Sequence, residues 1–305
     1  VTDAPTLADA AWLLKERREL PLEVKVGMSL RRIKAWHEHW GGKTHVSFSG
    51  GKDSTVLLDL VRSVYPDTPA LFVDTGLEYP EIKAFVRTFP NVTTVRPKKS
   101  FRQVIEEYGY PVASKLVSRM VRTCRNPTDR NQATRTLYLT GIKRDGSQTR
   151  YFKIPNKWRC LLDAPFQVSE RCCDVLKKEP FKRYEKETET TPYIGTMAWD
   201  SVLRSTQYLL TGCNAFAAKR PASRPLSFWT TDDIWEYIRG RGLPYAAVYD
   251  IGVSNTGCVF CAFGAHMEKG ETRFQALKRT HPKLHKYCIE DLGMAEVLDY
   301  IGVDY

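Results

Sequence analysis

Two sets of residues in this sequence have the types and spacing to do chemistry. One is the run Ser49-Gly50-Gly51-Lys52-Asp53-Ser54; the other is a pair of cysteine groups, Cys172-Cys173 and Cys258-Val259-Phe260-Cys261. In the first, adjacent glycines let the backbone turn tightly and approach a ligand without a Cβ in the way. If a helix begins at this turn, its first amides are unpaired and its dipole adds positive charge, which makes the corner an anion site. Lys52, Ser49 and Ser54 suit that anion to be a phosphate. The Gly-x4-Gly-Lys-Ser/Thr spacing of the P-loop is absent, so this is a different phosphate loop. Asp53 is a candidate contact for a phosphate-bound magnesium ion (Mg2+), and a helix-capping role accounts for it equally well.

The chain has eight cysteines. Neighbouring Cys172 and Cys173 cannot easily bond each other, and Cys258-x2-Cys261 has the gap of a metal chelate. Thiolates ligate zinc or an iron–sulfur cluster; spacing alone leaves zinc, a cluster and unliganded core cysteines all open. Cys124, Cys160, Cys213 and Cys288 read most simply as buried small hydrophobes.

The elements that must position these groups follow from periodicity. An apolar, β-prone run at 45–48 precedes the glycines, and residues 54–64 place Val56, Leu57, Leu60, Val61 and Val64 on one helical face. A second buried strand at 70–73, a helix at 81–88 and a third strand at 92–95 make a βαβ pattern with a parallel sheet. Ligands of such sheets bind beyond the carboxyl ends of the strands, where both the glycine loop and Asp74-Thr75-Gly76 fall. Helices are expected at 8–20, 24–40, 100–108 (capped by Ser100) and 114–124. Residues 136–139 and 151–154, around Asp145-Gly146, read as a β-hairpin inserted on the core. The expected class is therefore α/β: a doubly wound, mostly parallel sheet with a β-hairpin insertion and a cysteine-bearing C-terminal region. The expected domains are N-terminal helices at 1–42, a nucleotide-binding α/β domain at 43–240 with the insertion near 115–160, and a helical region at 241–305.

At 305 residues, with 42% hydrophobic content, the chain can bury a sizeable core. No run approaches the ~18 apolar residues of a membrane span and no signal peptide is visible, so a cytoplasmic protein without a membrane partner is the default expectation; a chain that starts with Val is compatible with trimming. The net charge of +11 points to a polyanionic partner, a nucleotide or a nucleic acid (DNA or tRNA). Basic residues crowd 115–150: Arg119, Arg122, Arg125, Arg130, Arg135, Lys143, Arg144 and Arg150 meet only Asp129 and Asp145. A nucleic-acid grip and a plain solvated face both fit that run.

The string Ser49–Ser54 resembles the pyrophosphate (PP) loop of the adenine-nucleotide alpha-hydrolase superfamily, which holds the phosphates of ATP or an adenylyl sulfate. Asp74-Thr75-Gly76 resembles the second nucleotide-contacting motif of the sulfonucleotide reductases, implying a ribose or adenine contact. Cys172-Cys173 with Cys258-x2-Cys261 resembles the ligand pattern of a 4Fe-4S cluster in adenylyl-sulfate reductases and in the DndC-like proteins of DNA phosphorothioation. In that resemblance Lys177, from Cys-x-x-x-Lys-x-x-Pro, helps fix the first cysteines and the nucleotide's charge. Residues 193–204 resemble the reductases' Gly-x-Arg-x-x-x-Ser-x-x-Arg loop, with Arg204 matching the second arginine and Met197 standing at the first. Altogether the resemblance to the phosphoadenosine-phosphosulfate reductase family runs from about residue 44 to 264.

Two departures steer the expected function. The reductases' nucleophilic Cys, in a terminal Glu-Cys-Gly-Leu-His, has no counterpart here, and Met197 removes a cation. The resulting expectation is an ATP-dependent enzyme, forming AMP and pyrophosphate, that carries out sulfur transfer or nucleic-acid modification with a cluster. Lys52, Asp53 and Arg204 are its catalytic candidates, and a sulfur donor such as a cysteine desulfurase is its implied partner. The alternatives are a phosphoadenylyl or adenylyl sulfate reductase using an atypical thiol such as Cys288, and a non-catalytic nucleotide-sensing module that binds nucleic acid.

Overall fold

The apolar run before the glycine pair forms a short strand, Thr44–Ser47, flanked by parallel strands on both sides. The computed structural model describes residues 7–305, so the first six residues of the expected 1–42 segment lie outside the described residues. The chain divides into two compact units, each assembled from separated stretches. One takes the described residues up to Asp74 with Tyr79–Val95 and Phe181–Thr256; the other takes Thr75–Glu78, Arg96–Pro180 and Gly257–Tyr305.

The first unit is α/β. Its sheet runs in the order Val92–Val95, Ala70–Val73, Thr44–Ser47, Thr191–Ile194, Ala222–Ser223, Asn214–Ala215. All pairings are parallel except the last. Val46 sits opposite both Ala70 and Tyr193, so the chain leaves Thr44–Ser47 in one direction and later returns on its other side. That reversal is the topological switch point at which such sheets open a crevice. Helix Lys52–Arg62 buries residues nearly all round, Val56, Leu57, Leu60 and Val61 among them, because other elements cover it on several sides. Helix Leu22–His39 buries Ile33 and Trp36, and the Tyr193 hydroxyl donates to the Ile33 carbonyl at 2.9 Å. Lys25, 2% exposed, holds its ammonium 2.6 Å from Asp233. That same carboxylate accepts from the Thr230 amide and hydroxyl at the start of helix Thr231–Arg241, so the cap doubles as a counter-ion.

The second unit is mostly helical, with one two-stranded parallel pair, Val112–Ala113 and Ala262–Phe263. Its helices start where capping residues predict: Ser100 and Gln103 form a reciprocal capping box before Phe101–Tyr108, and Ser114 caps Lys115–Arg125. Gly109 is required by crowding, since at φ +101° a Cβ there would lie 2.4 Å from the Gln167 carbonyl carbon.

The structure corrects two expectations within this unit. Residues 136–139 are not a hairpin strand; they belong to helix Gln132–Thr140, which stops on Gly141 at φ +81°. Leu137, Tyr138 and Leu139 are half-buried, the helix packs on Lys115–Arg125, and Arg135 donates to the Cys124 carbonyl at 3.2 Å. Tertiary contact overrides a local β preference. The Asp145-Gly146 turn does form, but it closes only a single antiparallel bridge between Ile142 and Gln148. Cys160, expected inside, is exposed, whereas Cys124, Cys213 and Cys288 are buried.

Candidate functional site

In the first unit the strand Thr44–Ser47 runs into the glycine turn and helix Lys52–Arg62. Gly50 adopts φ +72°, and a Cβ on it would lie 2.7 Å from Val86 Cγ2. A side chain at Gly51 would stand 2.6 Å from Thr256 Oγ1 and 3.3 Å from the Tyr249 hydroxyl. Glycine is favoured at both positions, by its positive φ and crowding at Gly50 and by close approach at Gly51, where a larger residue would have to displace the Thr256 side chain. Around them the loop knits itself together. The Ser49 amide donates to Ser54 Oγ at 3.1 Å, the Gly51 amide to Ser49 Oγ at 3.3 Å, and Ser54 Oγ to the Gly51 carbonyl at 2.8 Å. Gly51 supplies no side-chain cap to the helix.

The first helical amide, at Lys52, instead donates to the Tyr249 hydroxyl at 2.8 Å, and that hydroxyl lies 3.4 Å from Thr256 Oγ1. Lys52 is 3% exposed; its ammonium reaches the Ser254 carbonyl at 3.4 Å and lies 3.6 Å from Asp53 Oδ1. Asp53 Oδ1 is buried with no hydrogen-bond partner among the described residues. Burial holds the Asp53 carboxyl above the ordinary range, Lys52 opposes that rise and Asp200 adds to it. Gly195, at the end of strand Thr191–Ile194, packs on Asp53 so closely that a Cβ would be 3.0 Å from its carbonyl. Arg204 pairs with Asp200 one helical turn before it, and Met197 is buried. Asp74 pairs with Lys83 at 2.7 Å. Tyr249, Ser254 and Thr256 at this loop carry no local sequence signal of the kind the glycine pair has; only the fold brings them there.

The second unit holds the remaining candidates. Thr75 donates its hydroxyl to Glu78 at 2.7 Å and its amide to the same carboxylate at 3.0 Å, while Gly76 turns at φ +79° with open space beyond. Cys172, Cys173, Cys258 and Cys261 line one small cavity of about 20 Å³ together with Lys177, Leu77, Phe101 and Phe260. Two turns make this possible. Cys172 and Cys173 enter a wide helical turn, Asp174–Lys178, that leads into helix Glu179–Thr188. Cys258 and Cys261 close their own turn through a 3.2 Å amide-to-carbonyl bond, pinned by Val259 to the Leu77 carbonyl at 2.9 Å.

The thiols are unequal. Cys172 donates to Cys173, which raises the Cys172 pKa and lowers that of Cys173, and Lys115 and Lys177 favour the Cys173 thiolate further. Burial pushes Cys258 up against the pull of Lys177, and pushes Cys261 up to about 11. For Lys177, burial lowers the pKa, but Cys258 and Glu78 outweigh it and the net shift is upward. Among the described residues no three His, Cys, Asp or Glu side chains stand close enough to hold one metal ion. Cys288, the atypical thiol considered above, has 0% exposure, and burial raises its pKa to about 12; it cannot attack a substrate from there.

Comparison with known proteins comes down on one family. The pattern of the phosphoadenosine phosphosulfate reductase domain matches residues 43–159 and 155–263. An adenosine 5'-phosphosulfate reductase of Geobacillus kaustophilus is 25% identical over 256 residues, 82% of this chain and 86% of its own. An uncharacterised protein of Methanocaldococcus jannaschii is 25% identical over 260 residues, 83% of this chain but 42% of its own length. The crystal structure of a phosphoadenylyl-sulfate reductase from Candida auris, in complex with phosphate, superposes at a TM-score of 0.44 and 15% identity, covering 85% of this chain and 98% of that one.

Proposed function

This chain belongs to the phosphoadenosine phosphosulfate reductase domain family, and from that premise we propose an enzyme that takes an adenine nucleotide by its phosphates at Ser49–Ser54, with sulfonucleotide reduction its first candidate activity. The observation that carries this is the loop at the switch point: two closely packed glycines, a buried lysine and a helix start without a cap from its own N-cap residue, all at the same corner. The Lys52 ammonium is the donor for negative charge held at this corner; the Gly51 and Lys52 amides and the Ser49 and Ser54 hydroxyls join it once an anion displaces the bonds they make within the loop and to the Tyr249 hydroxyl. Asp53, with a buried oxygen that accepts no hydrogen bond and has only the Lys52 ammonium 3.6 Å away, suits a magnesium ion shared with those phosphates. Asp74, at the end of strand Ala70–Val73 in the same unit, is proposed for the ribose or base. The sulfonucleotide reading rests on the relatives' own names: the Geobacillus kaustophilus protein is an adenosine 5'-phosphosulfate reductase.

A 4Fe-4S cluster would be held by Cys172, Cys173, Cys258 and Cys261. The chemistry of the donors suits it, with four sulfurs lining one cavity and Lys177 beside Cys258 to donate to sulfur, while among the described residues no three of these side chains stand close enough to hold a single ion. When bound, such a cluster supplies one-electron chemistry tuned by hydrogen bonding and exposure. Structural zinc is the competing occupant.

Two observations favour a second reading, in which an oxygen of an acceptor such as a nucleic acid attacks the ATP α-phosphate, pyrophosphate leaves, and a sulfur nucleophile from a separate donor then displaces AMP. Met197 places a buried thioether where the reductase motif has a cation, and Arg204 is occupied by Asp200. Both weaken recognition of a sulfate, and the buried Cys288 offers no substitute nucleophile. The test is to supply adenylyl sulfate, its 3'-phosphorylated form or ATP to anaerobically prepared protein with a thiol reductant. Sulfite release supports the reductase; AMP with pyrophosphate supports the second reading. ADP with orthophosphate as the main products would overturn the loop assignment in both.

A further inference from the structure

The basic run of the second unit divides into two halves of different character. In the inner half the cations are spent on the fold: Arg122 makes a two-point pair with Glu170 at 2.8 and 3.0 Å, and Arg119 stands 3.6 Å from the same carboxylate. Arg125 donates to the Phe166 carbonyl at 2.7 Å, and Arg135 to Cys124. In the outer half, Lys143, Arg144, Arg150, Lys157 and Arg159 are exposed. Lys143, Arg144 and Arg150 pair with no carboxylate among the described residues. The single acid between them, Asp145, is committed to the Ser147 amide at 2.9 Å and hydroxyl at 2.6 Å.

Two aromatic side chains interrupt this positive face. Tyr151 is 67% exposed and Phe152 40%, their rings edge to face at 4.8 Å. The loop is built, not slack. Thr149 donates to the Gly141 carbonyl at 2.8 Å, Lys143 to Ser147 at 2.9 Å, and Ile154 to Tyr138 at 2.8 Å. A Cβ at Gly141 would meet the Thr149 carbonyl at 2.6 Å.

We infer that the outer face of residues 142–159 is a docking surface for single-stranded nucleic acid. Unpaired cations track a phosphate backbone, and exposed rings give unstacked bases a platform, the combination that single-strand binders use. A duplex keeps its bases stacked inside and offers such rings nothing, and the face has only the short 3-10 helix Asn156–Leu162 and a single antiparallel bridge, Ile142 to Gln148, in place of the α-helix or two-stranded ribbon that reads a major groove. DNA and RNA share the chemistry. The inference goes beyond the reductase reading; of the second reading it names the surface and the polymer.

The test uses the full chain and a fluorescein-labelled pyrimidine oligonucleotide, as DNA, as RNA and as a duplex, with anisotropy read across a salt series. Single strands should bind more tightly than duplex, with affinity falling steeply as salt rises. Replacing Tyr151 and Phe152 by Ala should weaken single-strand binding about 10-fold at fixed salt while leaving the salt slope and heparin binding unchanged. Lys143→Gln, Arg144→Gln and Arg150→Gln together should flatten the salt slope. Lys52→Ala should leave this binding intact, so a failed nucleotide site and a failed surface are told apart. Whichever of DNA or RNA binds more tightly identifies the polymer. No binding at low salt, duplex bound as well as single strand, or no effect of the aromatic changes in a variant that melts like the parent would overturn it.

Discussion

The glycine loop proposed to hold phosphate and the cysteine cavity are assembled by opposite routes. The loop is a contiguous run whose shape is dictated by two glycines and the start of one helix, with distant residues only closing over it. In the cavity, four thiols come from two remote turns, and each one's protonation is set by its neighbours. A backbone site of the first kind tolerates little steric change and little rearrangement. A side-chain site of the second kind depends on every member, yet its walls can adjust around what it holds.

The largest expected effects test the core of each site. Lys52→Ala should lower turnover about 100-fold or more, as losing a fixed charge donor does, with the melting temperature nearly unchanged; intact turnover would mean the loop is structural only. In the cavity, protein made without oxygen should be brown with about four irons per chain, and changing any one of the four cysteines to Ser should bleach it. A colourless, active protein holding one zinc would leave the ligands right and the metal wrong.

Gly51→Ala comes next. Its Cβ would collide with Thr256 at 2.6 Å, so about 1–3 kcal/mol of stability should be lost, together with nucleotide binding measured by calorimetry. The equivalent small change at the cavity, Leu77→Val, should cost less, and equal losses would erase the contrast between a rigid and an adjustable site.

Tyr249→Phe sharpens the loop side further. Its hydroxyl occupies the Lys52 amide, so removing it should cost the free protein about 1 kcal/mol and free that amide for phosphate. Nucleotide affinity should then rise or hold in calorimetry; a clear fall would show that the hydroxyl itself contacts the nucleotide.

The smallest effect concerns pH in the second unit. Burial raises the Glu170 carboxyl, but its bonds to Arg122, with Arg119 nearby, outweigh that and hold it below its ordinary value. A depressed folded pKa contributes stability that is present above about pH 4.3 and lost as pH falls through the lower folded value. Urea titrations near neutrality and near pH 3 should show this loss in the parent and a smaller one in Arg122→Gln. Equal losses would remove the pair from the account.

Much of this was legible before any fold was known. The strand–turn–helix around Ser49–Ser54, the parallel βαβ order and the cap at Ser100 all follow from residue types a few positions apart. The hairpin at 136–154 failed because a β-prone quartet was judged alone, while its packing partner lies in helix Lys115–Arg125. Cys160 failed for a related reason: residue type predicts burial only on average, and this one faces outward.

By itself, then, the sequence determined what depends on neighbours along the chain: where glycine must sit, where helices start, and which thiols have a chelate's spacing. Tertiary structure alone decided which distant groups meet. It brought the Tyr249 hydroxyl to the Lys52 amide, gathered the two cysteine pairs around one cavity, and neutralised Arg119 and Arg122 while leaving Lys143, Arg144 and Arg150 unpaired. The physical reason is range. Backbone conformation and capping are settled over a few bonds, whereas burial, charge pairing and thiol protonation depend on the path of the whole backbone.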